Sequence, residues 1–310
     1  MTRKPRQFST RVQIGEYTFT KKGIRRFDLR DPYHLAVTLT WPQFLAAMAG
    51  LYLTVNCLFA MLYLVVPGAL ANAHPGSFSD AFFFSFETLA TVGYGEIYPG
   101  SLYGHLISST EIMCGLAFTA ILTGLTFVRF SRPRAKFIFA DNPVVAQHNG
   151  KPMLMLRVAN GRANSMGATT AKMNVLLSST TVEGKTFRSA YELKLVRQHL
   201  PIFPLTWTVM HELGEASPIH NMDSAALIAA DARIFITLES HDPVLTANVN
   251  DLRSYAPGDI KFGMHYVDAV GEGPDGTPEV DLTAISEIEP ENGVPSTGAW
   301  DNDHVVAAEP

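Results

Sequence analysis

From Phe44 to Val66 the chain carries no charged side chain, over about the length that crosses a bilayer. A second apolar stretch runs from Leu102 to Phe130, interrupted by Glu111 and ending at Arg129. Between them lies a shorter run, Ala81 to Ala90, too short to span and suited to a re-entrant helix. Beyond Arg132 the pattern changes to alternating polar and apolar positions. Candidate strands there are 136–139, 153–158, 173–178, 192–196, 206–210, 234–239 and 260–266. Asn149-Gly150, Glu183-Gly184, Pro257-Gly258 and Asp275-Gly276 are turn signals between several of them. Short strands without intervening helices predict a β-sandwich. The fold class expected is therefore membrane α followed by soluble β.

Charge sets the orientation. Arg3, Lys4, Arg6, Arg11, Lys21, Lys22, Arg25, Arg26 and Arg30 precede the first span, and Arg129, Arg132, Arg134 and Lys136 mark the exit of the second. No Lys or Arg occurs between Pro67 and Ser101. Both termini are thus expected in the cytoplasm, with the connecting loop outside. No apolar h-region with a cleavage site suggests a signal peptide at the N-terminus. The net charge of −5 is spread along the chain and implies no nucleic-acid partner, and a mean hydropathy of +0.10 conceals the contrast between its two halves. Cys57 and Cys114 lie inside the spans and read as reduced packing thiols.

The expected organisation is an N-terminal cytoplasmic segment (1–30), an interfacial helix (31–42), a two-span domain (43–134), a cytoplasmic β-sandwich (135–288) and a disordered tail (289–310). Within the two-span domain the elements are span one (43–66), a short helix (79–90) capped by Ser77 or Ser79, and span two (102–130). The 31–42 segment, DPYHLAVTLTWP, is bounded by proline and mixes apolar residues with Tyr33, His34 and Trp41, as a helix lying on the inner membrane surface does. The Arg129, Arg132, Arg134 and Lys136 cluster is a candidate site for anionic headgroups, alongside its positive-inside role.

The short helix leads into Thr91-Val92-Gly93-Tyr94-Gly95. This is the string by which potassium-channel selectivity filters are known, so it is matched here and not deduced. Its chemistry is a backbone one. Carbonyls of Thr91, Val92, Gly93 and Tyr94 from four chains can replace the hydration shell of K+, the permeant ion, and the glycines allow the backbone conformations this needs. No cofactor is implied. Thr91 can add a hydroxyl ring, while Val92 and Tyr94 support the loop from outside. Glu87, behind the filter, reads as a bracing carboxylate or a solvated one, and Glu96 as a vestibule acid that attracts cations.

On a helical second span, Phe127, Ala120, Thr123 and Leu116 share a face within roughly 40°, with Ile112 near its edge. Glu111 falls on the opposite side, toward the short helix or the first span, and reads as a structural acid. Phe127 either closes a hydrophobic constriction or packs between helices. Gly115 and Gly124 are candidate bending points or packing positions. The soluble part shows no metal-ligand spacing, phosphate loop or catalytic triad, so no enzyme is expected. His211-Glu212 reads as a chance neighbour pair. No arginine-rich span precedes the pore, which argues against voltage sensing.

Taken together, the filter, DPYHLAVTLTWP, FSRPRAK (130–136), MLMLRVANGR (153–162), PIFPLTWTVMHELGEASP (201–218) and DIKFGMHYVD (259–268) resemble prokaryotic inward-rectifier potassium channels of the KirBac type. The resemblance implies a homotetramer with an interfacial slide helix, a pore helix and an immunoglobulin-like cytoplasmic β-sandwich. It implies a bundle gate at Phe127, phosphoinositide regulation near Arg134 and Lys136 with its sign open, and Ba2+ as a pore blocker. It matches a loop around Ala247, Asn248, Val249, Asn250 and Asp251 to a flexible constriction at the top of the cytoplasmic pore. Thr119 stands where eukaryotic relatives carry a pore-lining acid, so strong rectification is not expected. Ile97 stands where relatives place an Arg beside the pore-helix Glu. A membrane-tethered binding module with a non-conducting or poorly selective pore is the alternative.

Overall fold

The computed structural model describes residues 9–14, 17–22, 30–272 and 275–291. The chain divides into two compact units, one from Arg25 to Arg132, the other joining the N-terminal part to everything from Pro133 onward.

The first unit holds α1 (Pro32–Thr38), α2 (Trp41–Val65), α3 (Phe78–Leu89) and α4 (Leu102–Phe130). The segment expected as one helix over 31–42 is two elements. Asp31 caps α1 by accepting from the His34 amide at 2.9 Å, and α1 stops at Thr38. Thr40 is the N-cap of α2, its amide donating to Gln43 Oε1 at 3.2 Å. Pro42 sits in the first turn of α2, where its missing N–H costs nothing, so it opens a helix and does not end one. Only 11% of the most apolar window of α2, and the same share of α4, is buried within the chain. Apolar side chains turned outward at that density suit lipid and neighbouring subunits, not water.

Ser77 is the cap of α3, accepting from the Asp80 amide at 3.2 Å. Asp80 accepts from His74 through its backbone amide (2.8 Å) and Nδ1 (2.7 Å), which holds the carboxyl down at about 2 and keeps a negative charge at the helix N-terminus. Inside the unit Phe59, Ala60 and Tyr63 of α2 pack on Ala81 and Phe84 of α3.

The second unit is a β-sandwich of two five-stranded sheets. One orders His199–Leu200, Thr169–Thr180, Arg233–Asp242 and Ala247–Tyr255, with Thr186–Leu193 also paired to Thr169–Thr180. The other orders Thr206–Glu212, Lys151–Asn160, Val144–His148 and Lys261–Phe262, with Phe137–Phe139 also on Lys151–Asn160. Leu154, Leu156 and Val158 meet Val175, Ile234, Ile236 and Leu238 in the core between them. Val144–His148, absent from the sequence expectation, forms a hairpin across Asn149-Gly150, whose φ values of 53° and 73° fit a two-residue primed turn.

Four segments differ from the sequence pattern. Residues 247–251 are strand, paired from Ala247↔Asp242 to Asp251↔Leu238, and the loop is 243–246. Asp242 fixes that turn by accepting from the Val244 (2.9 Å) and Leu245 (3.3 Å) amides. The run 260–266 is broken at Gly263 (φ 66°), so Lys261–Phe262 and Met264–Tyr266 join different sheets. The tail expected from Glu289 begins as structure, since Ile288–Pro290 pairs with Met264–Tyr266; residues 292–310 lie outside the described residues. The strand expected at 192–196 is Thr186–Leu193.

His211 and Glu212 form no joint site. Alternation along the strand sends His211 into the core and Glu212 outward to Lys151, 2.9 Å away. His211 donates from Nδ1 to the Lys194 carbonyl (2.8 Å) and accepts at Nε2 from Ser217 Oγ (2.8 Å), which fits the neutral ring. Burial pushes its pKa below the ordinary 6.5. The unfolded chain therefore binds a proton first, and stability present above pH 6.5 is lost as pH falls toward the lower folded value. Thermal unfolding of the full channel is expected to come at lower temperature at pH 5.5 than at pH 7.5, with a smaller difference in His211→Gln; an equal difference in both proteins would remove His211 as the cause.

Candidate functional site

The filter string begins where α3 ends, and the junction has a defined cap. The Val92 amide donates to the Glu87 carbonyl (2.8 Å) and the Thr91 amide to the Thr88 carbonyl (3.0 Å). With Ala90 as the C-cap, these are the two hydrogen bonds of a Schellman motif. Its left-handed position, usually glycine, is Thr91 at φ 57°. A β-branched residue there is strained, so the first filter residue holds a conformation its side chain disfavours. Gly93 (φ 58°) and Gly95 (φ 86°) are also left-handed. Val92 and Tyr94 are 53% and 78% exposed on the single chain.

Behind the filter the structure separates the two acids. Glu87 is half-buried, and its carboxylate meets no hydrogen-bond partner among the described residues of the chain. Glu111 is fully buried. It accepts from Tyr63 OH of α2 at 2.7 Å and from Ser85 Oγ of α3. The structural role expected for Glu111 is thus realised with both expected neighbours. Its partners were not foreseen; Ser85 and Asn56, polar residues inside apolar helices, were the available signal. The Ser85 Oγ also lies 3.2 Å from Asn56 Oδ1.

One turn after Glu111, Gly115 lies against the last residue of α3. A Cβ added there would come within 2.2 Å of the Leu89 carbonyl oxygen. Gly115 is therefore a contact point, whereas Gly124 has open space around it and keeps the freedom a bend requires. The buried positions of α4, namely Gly104, Ser108, Glu111 and Gly115, form one stripe at helical spacing. Leu116, Thr119, Ala120, Thr123 and Phe127 are all exposed, with Ile112 40% exposed at the edge. The face predicted to line a pore is open on the single chain, as are Leu106, Met113 and Ile121 elsewhere on α4. Phe127 is 70% exposed on the single chain.

The basic cluster divides. Arg129 is engaged: its guanidinium donates to the carbonyls of Ala36 (2.6 Å) and Leu39 (2.8 Å) and lies over the rings of Trp41 and Phe44 at 4.7 and 4.6 Å. It closes the C-terminus of α1, a favourable place for a cation, and ties it to the end of α4. Its Nη1 and Nη2 are engaged by backbone carbonyls and its Nε is buried, so Arg129 offers a headgroup less than an exposed cation would. Arg132, Arg134 and Lys136 are exposed.

Residues 137–304 match the family described as the inward rectifier potassium channel C-terminal domain, and residues 48–132 match the ion channel family. The chain belongs to the inward rectifier potassium channels. It is 36% identical over 287 residues to the inward rectifier potassium channel Kirbac3.1 of Paramagnetospirillum magnetotacticum, covering 92% of this chain and 96% of that one. It is 27% identical to the ATP-sensitive inward rectifier potassium channel 11 of Cavia porcellus (87% and 75% covered) and 24% identical to channel 15 of Homo sapiens (86% and 77%). Both units are thus accounted for by one family. The protein is an inward-rectifier-type potassium channel of the plasma membrane with cytoplasmic termini, and not an enzyme.

Proposed function

We propose that four copies conduct K+ passively along an axis lined by the open face of α4, with the ion dehydrated by the carbonyls of Thr91, Val92, Gly93 and Tyr94. The observation that carries this reading is the coincidence of two independent features. The filter string leaves the C-terminal, electronegative end of α3, and the stripe of α4 from Ile112 to Phe127, opposite the buried Glu111, is open on the single chain. Around a fourfold axis, the α3 ends favour a cation below the filter, and the exposed Val92 and Tyr94 find cover on neighbouring chains. Ba2+, similar in size to K+ but doubly charged, binds such a carbonyl cage and blocks it.

Phe127 is the gate in this reading. Four phenyl rings near the inner end form a constriction that stops conduction by dewetting. Thr119 brings no charge to the cavity, so weak rectification follows. Arg132, Arg134 and Lys136 remain as the cations for anionic lipid headgroups, phosphoinositides among them, and the β-sandwich acts as the regulatory part. Glu87 stands ready to accept a hydrogen bond from a neighbouring subunit.

The gate assignment is tested with Phe127→Ala in liposomes. Potassium flux per tetramer is expected to rise about tenfold or more as the constriction wets, with the K+/Na+ ratio unchanged. Flux equal to wild type would remove Phe127 from the gate.

A further inference from the structure

The pore helix of this channel is held from behind by one buried carboxylate on which three helices converge. Tyr63 of α2 and Ser85 of α3 both donate to Glu111 of α4, and all three side chains are buried. Four residues further along α4, Gly115 abuts the Leu89 carbonyl, at the end of the same pore helix. Glu111 and Gly115 lie on one stripe of α4, so the second span touches the pore helix at its middle and at its last turn. That last turn is where the Schellman bonds fix Thr91 and Val92. The carboxylate of Glu87, the acid expected to brace the filter, meets no hydrogen-bond partner among the described residues, and Ile97 offers no charge beyond the filter.

We propose that Glu111 is the positioning residue of the selectivity filter, acting through Ser85 and Tyr63 on the pore helix. A buried acid without partners would be costly at this depth, and the two hydroxyls satisfy one oxygen each. Their directions differ: Tyr63 anchors the acid to the first span, and Ser85 transmits its position to α3. A shift or rotation of α3 moves the strained Thr91 cap and with it the carbonyls behind it. The filter geometry is therefore tied to the outer span, not only to contacts along the axis.

The inference rests on the filter assignment, which wild-type selectivity tests separately. Purified Ser85→Ala, Tyr63→Phe, Glu111→Ala and Glu111→Gln channels are reconstituted in liposomes, and K+/Na+ flux ratio and Ba2+ block are read per intact tetramer. Ser85→Ala and Glu111→Ala are expected to lower the flux ratio about tenfold, the scale of one lost buried hydrogen bond to a charged group. Tyr63→Phe, lacking a single oxygen, lowers it less. Glu111→Gln recovers much of the ratio, because its amide can donate to the Ser85 hydroxyl while its carbonyl still accepts from Tyr63. A merely structural role would reduce the amount of tetramer and leave selectivity and Ba2+ block alone. Wild-type selectivity in the tetramers of Ser85→Ala and Tyr63→Phe would overturn the proposal, whatever their yield.

Discussion

Gly93→Ala is expected to abolish potassium-selective flux while leaving the tetramer intact. Gly93 sits at φ 58°, and an added Cβ would meet nothing within 4 Å in the chain. The cost is therefore conformational: about 1–2 kcal/mol to hold an L-residue in the left-handed region, repeated in every subunit around the axis. Thr91, two residues earlier, already holds φ 57° against its β-branch. The loop has little tolerance for a second strained position, and relaxing it turns carbonyls away from the ion. Liposome flux per tetramer is expected to fall at least about tenfold, which 1.4 kcal/mol suffices to produce. Wild-type flux from Gly93→Ala would mean that the left-handed geometry at this residue is not what conduction uses.

Gly115→Ala is expected to destabilise the channel, against the usual effect of that change. Within a helix, Gly to Ala ordinarily adds about 1 kcal/mol of stability. At Gly115 the new methyl would lie 2.2 Å from the Leu89 carbonyl oxygen and 3.0 Å from its carbon. Both are backbone atoms, which cannot escape by changing rotamer, so α4 and α3 must separate. Overpacking of this kind costs about 1–3 kcal/mol. Gly124→Ala provides the comparison on the same helix, because its added methyl has open space. Thermal unfolding of the tetramer should drop for the first variant and hold or rise for the second. Equal unfolding temperatures for the two would contradict the close approach at Gly115.

Much of this architecture is legible without coordinates, for identifiable reasons. A bilayer demands long uncharged runs, so α2 and α4 announce themselves; a β-sandwich with one buried face demands alternation, so most of its strands do too. What the chain hides is mostly at element ends. By sequence Pro42 fits the end of the interfacial helix and equally the first turn of the next one, and Thr40 with Gln43 makes that choice. Residues 247–251 alternate only briefly, as Ala247-Asn248-Val249-Asn250, and their pairing with residues 238–242 makes them strand. Arg129 reads as one of a basic cluster, but its meaning depends on two carbonyls some 90 residues earlier in the chain. That Glu111 faces α2 and α3 followed from helical geometry alone. The partners of Glu111 did not, because a hydroxyl inside an apolar helix signals a polar contact without saying with what.

Uptake of K+ by liposomes containing the purified wild-type protein, set against Na+ uptake and repeated with Ba2+, tests the central claim most directly. K+ uptake is expected well above Na+ uptake and suppressed by Ba2+, with a silent wild type giving the same pattern once Phe127→Ala opens the gate. Equal uptake of the two ions, or none even with Phe127→Ala, would contradict it.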